Sequence, residues 1–209
     1  MARRMRDTAF RDAQLAGIRA EHIAPVNALV DRLNDPSAGR WAPYVAPVYG
    51  GTSARLLSVL RDPGPKTQAG NAGSGLLSIE NDDATAERIA GLFADAGIDV
   101  GEVVPWNIYP WYINKKPTTE QLDQAAGPLL ELIALLPDLA VVMLHGTDAR
   151  RGWARFTRRF PDALPEGVLV IPTYHTSRQA FWHPDPAGRQ RRADHLTDSF
   201  RRAAARLHR

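Results

Sequence analysis

From about residue 54 onward, short apolar runs alternate with longer segments of helical pattern, and that alternation leaves few folds open. Leu56-Leu57-Ser58-Val59-Leu60 reads as a buried strand, Ala84–Ala96 as a helix closed by Gly97, and Val103-Val104 as a second strand. Pro117-Thr118-Thr119-Glu120 opens a helix that runs to Leu136, with Thr118 or Thr119 as its N-cap. Residues 139–144 form a third strand, 148–160 a third helix, Val168-Leu169-Val170-Ile171 a fourth strand and 187–207 the last helix. Strands that recur after single helices cannot pair as hairpins. They predict an α/β fold, a three-layer αβα sandwich around a four-stranded parallel sheet.

Ahead of this core, residues 7–34 place Ile18, Ile23, Leu29, Val30 and Leu33 on one helical face, with Pro25 expected to kink or divide the segment. A loop rich in Pro, Gly and Ala covers residues 35–53. No second domain or repeat is evident, so residues 1–209 read as one domain, with 1–50 a helical segment and loop packed on the core. A chain of 209 residues buries roughly 70% of its unfolded surface and needs no metal or disulfide staple.

The absence of cysteine removes disulfides, thiol nucleophiles, cysteine-ligated zinc and iron–sulfur clusters together. No apolar run reaches the ~18 residues that would span a bilayer. The basic start Met1-Ala-Arg-Arg-Met-Arg is followed by no apolar stretch of a secretory signal, so a cytoplasmic, nucleoid-associated protein is expected. Net charge is +3, but only Lys66, Lys115 and Lys116 among the 26 basic residues are lysine, and the last 21 residues hold seven arginines. Such a surface suits an anionic polymer, and it equally suits a solvated amphipathic helix.

In parallel sheets ligands bind beyond the carboxyl ends of the strands. The four exits read Arg61-Asp62-Pro63-Gly64-Pro65, Pro105-Trp106-Asn107-Ile108-Tyr109, His145-Gly146-Thr147-Asp148 and Pro172-Thr173-Tyr174-His175-Thr176-Ser177. An Asp, an Asn and a His therefore meet at one cleft, although Asp-Pro-Gly is also a common turn and a His after a strand is often structural. His145 reads as a structural residue. The chain has no phosphate-binding Gly-rich loop between strand and helix, no metal-spaced histidines and no Gly-x-Ser-x-Gly elbow.

Taken in order, these exits resemble the uracil-DNA glycosylase superfamily, whose first motif carries an acidic or amide residue before Pro and whose last is a His-Pro-Ser type loop. Gly70-Asn71-Ala72-Gly73-Ser74-Gly75-Leu76-Leu77, Asn114-Lys115-Lys116-Pro117-Thr118 and Leu144-His145-Gly146-Thr147-Asp148-Ala149-Arg150-Arg151-Gly152 are similar to its intervening segments. The resemblance covers roughly residues 50–205 and implies a monofunctional glycosylase that flips uracil out of DNA, single- or double-stranded, and hydrolyses its N-glycosidic bond as a monomer without metal or cofactor. It implies Asp62 as the water-activating carboxylate, His175 as donor to uracil O2, and Asn107 as reader of N3–H and O4. It further implies Gly64, Pro65 and Ser78 in the base pocket, and Gly73, Thr176, Ser177, Arg178, Phe181 and Trp182 against DNA. Phe181 or Trp182 would be the wedge that fills the gap left by the base.

Three departures bear on that implication. Gly64 stands where related enzymes place a Tyr that excludes the thymine methyl, so a pocket open to further altered bases is expected. The segment Gly75-Leu76-Leu77-Ser78-Ile79 lacks the usual stacking aromatic, and His175-Thr176-Ser177-Arg178 lacks the usual Pro. These leave open the alternative of a nucleic-acid or nucleobase-binding protein that keeps the fold without turnover. A lyase step would need an amine, and Lys66 is the lysine beside the first motif.

Overall fold

The computed structural model describes residues 3–70 and 73–209, the side chains of Arg178 and Phe181 excepted. In chain order it contains helices α1 (Thr8–Ala16) and α2 (Ala24–Leu33) and strands β1 (Tyr44–Val45), β2 (Leu56–Leu60) and β3 (Leu76–Leu77). Helix α3 (Ala84–Ala96), strand β4 (Val103–Asn107), helix α4 (Thr119–Ala134), strand β5 (Val141–His145), helix α5 (Thr147–Arg159) and strand β6 (Leu169–Thr173) follow. The short α6 (Arg178–Phe181) and the long α7 (Pro186–Leu207) close the chain. The four expected strands form one parallel sheet in the order β4-β2-β5-β6.

The strand sequences fit their places in that order. β2, β4 and β5 are buried along almost their whole length, as strands covered on both faces must be. The two strand prolines, Pro105 and Pro172, sit on β4 and β6, the edge strands, where a missing N–H disturbs the ladder least. Register pairs Ser58 with Pro105 and Met143, and Val59 with Trp106 and Leu144, so alternate residues of all strands share a face. α3 carries the chain from β2 to β4 in one direction, whereas α4 and α5 carry it the opposite way. Right-handed crossovers therefore put α3 on one face and α4 and α5 on the other. α7 joins α3: Phe200 packs on Phe93 at 5.3 Å and on His145 at 5.9 Å between ring centroids.

Helix ends follow local chemistry. Asp83 caps α3 by accepting from the Thr85 and Ala86 N–H groups, both at 2.8 Å, and Gly97 closes it at φ 71°. Thr118 and Gln121 form a reciprocal capping box at the start of α4, and Asp185 caps α7.

Two expectations need correction. Residues 7–34 form two helices, but the break falls at 17–23 and Pro25 lies in the first turn of the second helix. A Cβ at Gly17 would stand 2.9 Å from Pro47 Cγ, so the chain turns where this loop crosses it. The segment 35–53, expected as a loop rich in Pro, Gly and Ala, contains β1, which pairs in parallel with β3, Tyr44 opposite Leu76 and Val45 opposite Leu77. Ile23, Leu29 and Val30 are buried, with Ile18 and Leu33 packed beside them, as the shared face requires. Among the described residues, no helix is long and apolar enough to cross a membrane.

Close approach of α5 to the β4 exit depends on Gly152, where a Cβ would lie 2.2 Å from Ile108 Cγ1 and 3.1 Å from Leu122 Cδ2. Gly91 and Gly127 lie in helices with nothing within 4 Å of the same added atom. Gly152→Ala should therefore lose about 1–3 kcal/mol to overpacking, while Gly91→Ala and Gly127→Ala should each gain about 0.5–1 kcal/mol. Thermal or urea melts of the three variants check this, and a stabilised Gly152→Ala would contradict the packing described.

Candidate active site

The crossover direction reverses between β2 and β5, and that is where an open parallel sheet leaves a crevice at its carboxyl edge. A cleft of about 550 Å³ opens there, within the range of small-molecule sites. Its wall includes Asp62 from the β2 exit, Asn107 at the end of β4, His145 at the end of β5, Asp148 at the start of α5, and His175 after β6. The three residues singled out from sequence thus share one cleft.

Asp62 follows β2 directly, and its exit is pinned because the Ile108 and Tyr109 amides donate to the Leu60 and Arg61 carbonyls at 2.8 and 3.0 Å. Its side chain is only 3% exposed; Oδ1 accepts from Arg61 Nε at 2.5 Å, and Oδ2 is buried without a hydrogen-bond partner. Burial pushes the Asp62 carboxyl above the usual carboxylate range, while Arg61 and the backbone amides of Asn114 and Lys115 pull it back. Asn114 holds a left-handed backbone, φ 49°, which a non-glycine residue rarely adopts, and it lines the same cleft.

Asn107 is 4% exposed, and its Oδ1 is likewise buried with no donor. A buried amide oxygen without a donor carries an uncompensated desolvation cost. His175 is partly buried, and its Nδ1 accepts the Ser177 N–H at 3.0 Å. A neutral ring with Nδ1 accepting must carry its proton on Nε2. Burial, helped by the positive charge of Arg61 and opposed by Asp148, holds the imidazole below the ordinary histidine range and keeps it neutral. Gly146, at φ 92°, turns β5 into α5 beside it; a Cβ there would lie 3.1 Å from His175 Cβ.

His145 is 1% exposed, contacts Ser58 Oγ through Nε2 at 3.0 Å, and is pushed down to about 3 by burial and by His175. Its pairing with Ser58 and packing on Phe200 fit the structural role expected, although it also lines the cleft floor. Among the described residues no group of three His, Asp or Glu side chains is arranged to hold a metal ion.

The remaining expected residues divide. Gly64, Pro65 and Ser78 line the cleft, and a side chain at Gly64 would meet open space. Ser177 lines it too and supplies the amide that orients His175. Thr176 does not fit a DNA contact: it is fully buried and its carbonyl accepts from Arg88 at 3.0 Å, so it supports the loop from beneath. Gly73 lies off the cleft, packed so that a Cβ would strike the Gln68 carbonyl at 2.0 Å, and Asn71 and Ala72 beside it fall outside the described residues. Trp182 is 69% exposed at the end of α6, whereas the side chains of Arg178 and Phe181 lie outside the description.

Two arginines of α7 hold this loop. Arg192 donates to the Ala180 and Trp182 carbonyls, both at 2.9 Å, and lies over the Tyr174 ring; Arg189 donates to the His183 carbonyl at 2.6 Å. Sequence reasoning missed Arg61, Asp148 and the Asn114–Lys115 backbone. Only the neighbouring Asp and the tolerance of Asn for a left-handed turn hinted at them. No protein-family model matches the chain, and no curated protein matches its sequence.

The raised Asp62 has a consequence for stability whose sign is fixed. The native state retains a proton that the unfolded chain has already lost at its ordinary value of 3.8, so ionising Asp62 costs stability as pH rises from that value through the raised one. The cost is fully present at neutral pH and absent below the unfolded value. Asp62→Asn should therefore melt higher than wild type at pH 7, with the gain shrinking toward pH 3. A lower melting temperature at pH 7 would mean that Arg61 overcompensates burial.

Proposed function

We propose that this cleft hydrolyses the N-glycosidic bond of uracil in DNA. The carrying observation is that a buried carboxylate oxygen on Asp62 and a buried amide oxygen on Asn107 lack partners in the same cleft as an imidazole whose proton is fixed on Nε2 at His175. Such groups are costly to keep unless a ligand fills them. The edge of uracil offers N3–H to the Asn107 oxygen, O4 to its NH₂ and O2 to His175.

In this reading the flipped base enters the cleft with its sugar toward Asp62. Asp62 orients a water, takes its proton as oxygen bonds to C1′, and stabilises positive charge on the sugar. The C1′–N1 electron pair leaves with the base, and His175 Nε2–H meets the negative charge growing on O2, a donor aimed at the transition state. The neutral imidazole supports this role, because its Nδ1 is already occupied by the Ser177 amide. DNA is the proposed partner, with Trp182, 69% exposed at the end of α6, as the proposed wedge.

Single-turnover kinetics on uracil-bearing oligonucleotides test the assignment. Asp62→Ala should slow cleavage by roughly 10²–10⁴-fold with DNA binding retained. His175→Ala should lower the chemical step while leaving KM near wild type, and Asn107→Ala should damage base selection and binding as well. Wild-type rates in Asp62→Ala would remove it from the mechanism; binding without cleavage by the wild type would favour a base-recognising protein that has lost turnover.

The open space at Gly64 supports a broad pocket. Wild type should excise uracil and at least one other altered base, such as hypoxanthine, xanthine or a 5-substituted uracil. Gly64→Tyr, at a position with ordinary negative φ of −77°, should narrow that range. A substrate panel giving strict uracil cleavage by wild type would reject the broad pocket.

A further inference from the structure

The proposed chemistry leaves the basic segment Arg3-Arg4-Met5-Arg6 unused, yet the chain folds it against one wall of the cleft. That wall is the turn from Ser78 to Asp83 between β3 and α3, of which Ser78, Ile79, Asn81 and Asp83 line the cleft. Its inner side is tied locally. Asn81 Nδ2 donates to the Leu76 carbonyl at 2.9 Å, Asn81 Oδ1 accepts from Ser74 Oγ at 2.7 Å, and the Glu80 amide donates to Ser78 Oγ at 3.1 Å. Its outer side is held by residues more than seventy positions away. The Met5 amide donates to the Glu80 carbonyl at 3.0 Å, the Arg4 amide donates to Glu80 Oε2 at 3.2 Å, and the Arg4 guanidinium pairs with Glu80 Oε1 at 3.1 Å. The same guanidinium lies over the Phe10 ring of α1, 4.2 Å from its centroid. Arg6 pairs with Asp82 at 2.7 Å, and Arg3 bridges Asp82 and Glu87 at 3.3 and 2.7 Å.

These pairs differ in weight. Arg6 and Asp82 are 62% and 29% exposed, and ion pairs so open to solvent contribute little. The Glu80 side chain is 8% exposed, and a carboxylate taken out of water has to be both paired and hydrogen-bonded. With the Arg4 cation removed, the least costly relief is for Glu80 to turn back into solvent. The Glu80 amide and carbonyl are the groups bonded to Ser78 and Met5, so the wall would move with it.

We infer that Arg4, acting through Glu80, is a positioning residue that fixes the Ser78–Asp83 wall of the cleft and so governs how tightly a base is held there. Arg4 itself does not line the cleft, which places its effect on the shape of the wall and not on the reacting atoms. The clamp is read from the contacts alone. Its kinetic consequence rests on the proposed excision of uracil, with Ser78 in the base pocket.

The test is hydrogen exchange followed by mass spectrometry on the full chain, comparing wild type, Arg4→Gln, Arg6→Gln and the double variant Arg4→Gln/Glu80→Gln. Arg4→Gln should speed exchange of the 79–83 amides by about tenfold while the β5 amides stay near wild type, the mark of a local opening. Arg6→Gln, which breaks a solvent-exposed pair, should leave both regions near wild type. The double variant leaves no buried charge unpaired and should recover most of the lost protection. In single-turnover uracil excision, Arg4→Gln should raise the half-saturating substrate concentration by about tenfold with the saturated rate near wild type. Unchanged exchange at 79–83 in Arg4→Gln, an equal rise in the β5 amides, a double variant no better protected than the single, or a loss confined to the saturated rate would overturn the inference. If exchange responds as expected but the wild type excises no uracil, the clamp stands and the glycosidic reading fails.

Discussion

The molecule depends on the position of β2. It pairs with β4 on one side and β5 on the other, and the chain leaves it in one direction but returns past it in the other. Right-handed crossovers then force helices onto opposite faces and leave the carboxyl edge between β2 and β5 uncovered. A crevice at that edge follows from the strand order and needs no special loop to carve it. The glycine contacts keep it narrow: Gly152 brings α5 against Ile108, and Gly146 brings the β5–α5 turn against His175.

Polar residues at this edge are placed against the usual preference of a protein interior. Asp62 Oδ2 and Asn107 Oδ1 are buried without partners, and His175 is driven neutral by its surroundings. Asn27, buried elsewhere in the chain, is satisfied: its amide donates to the Ile18 and Val45 carbonyls at 2.9 and 3.0 Å and accepts from the Val45 amide at 2.8 Å. Asn27 and Asn107 are both buried asparagines in one chain, one with its side-chain amide satisfied and the other with its oxygen unpartnered. Fold stability and site chemistry pull apart at the same residues.

Much of the architecture was legible in the sequence because its signals are local. Apolar runs such as Leu56–Leu60, the Gly97 stop and the Thr118 cap each act within a few residues. β1 and β3 escaped notice because two-residue strands are too short to show any alternation, and their pairing joins residues some thirty positions apart. The break after α1 was misplaced to Pro25 because Pro25 is tolerated in the first turn of α2, while Gly17 lies close against Pro47, a tertiary approach no local pattern shows. At the site, Asp62, Asn107 and His175 were readable as strand exits. Arg61 was not, since a charged residue before Asp looks like solvated surface until the turn swings its guanidinium onto the carboxylate. Thr176 was misread because loop residues beyond a strand are usually exposed, and here Arg88 draws its carbonyl inward.

The proposed chemistry is the breaking of a glycosidic bond at this edge of the sheet. It is met most directly by mixing stoichiometric protein with single-stranded and duplex oligonucleotides containing one deoxyuridine and identifying both products by mass spectrometry. Free uracil is expected together with an equal amount of strand carrying an intact backbone and one abasic sugar. Oligonucleotide recovered unchanged after prolonged incubation with folded protein would contradict it.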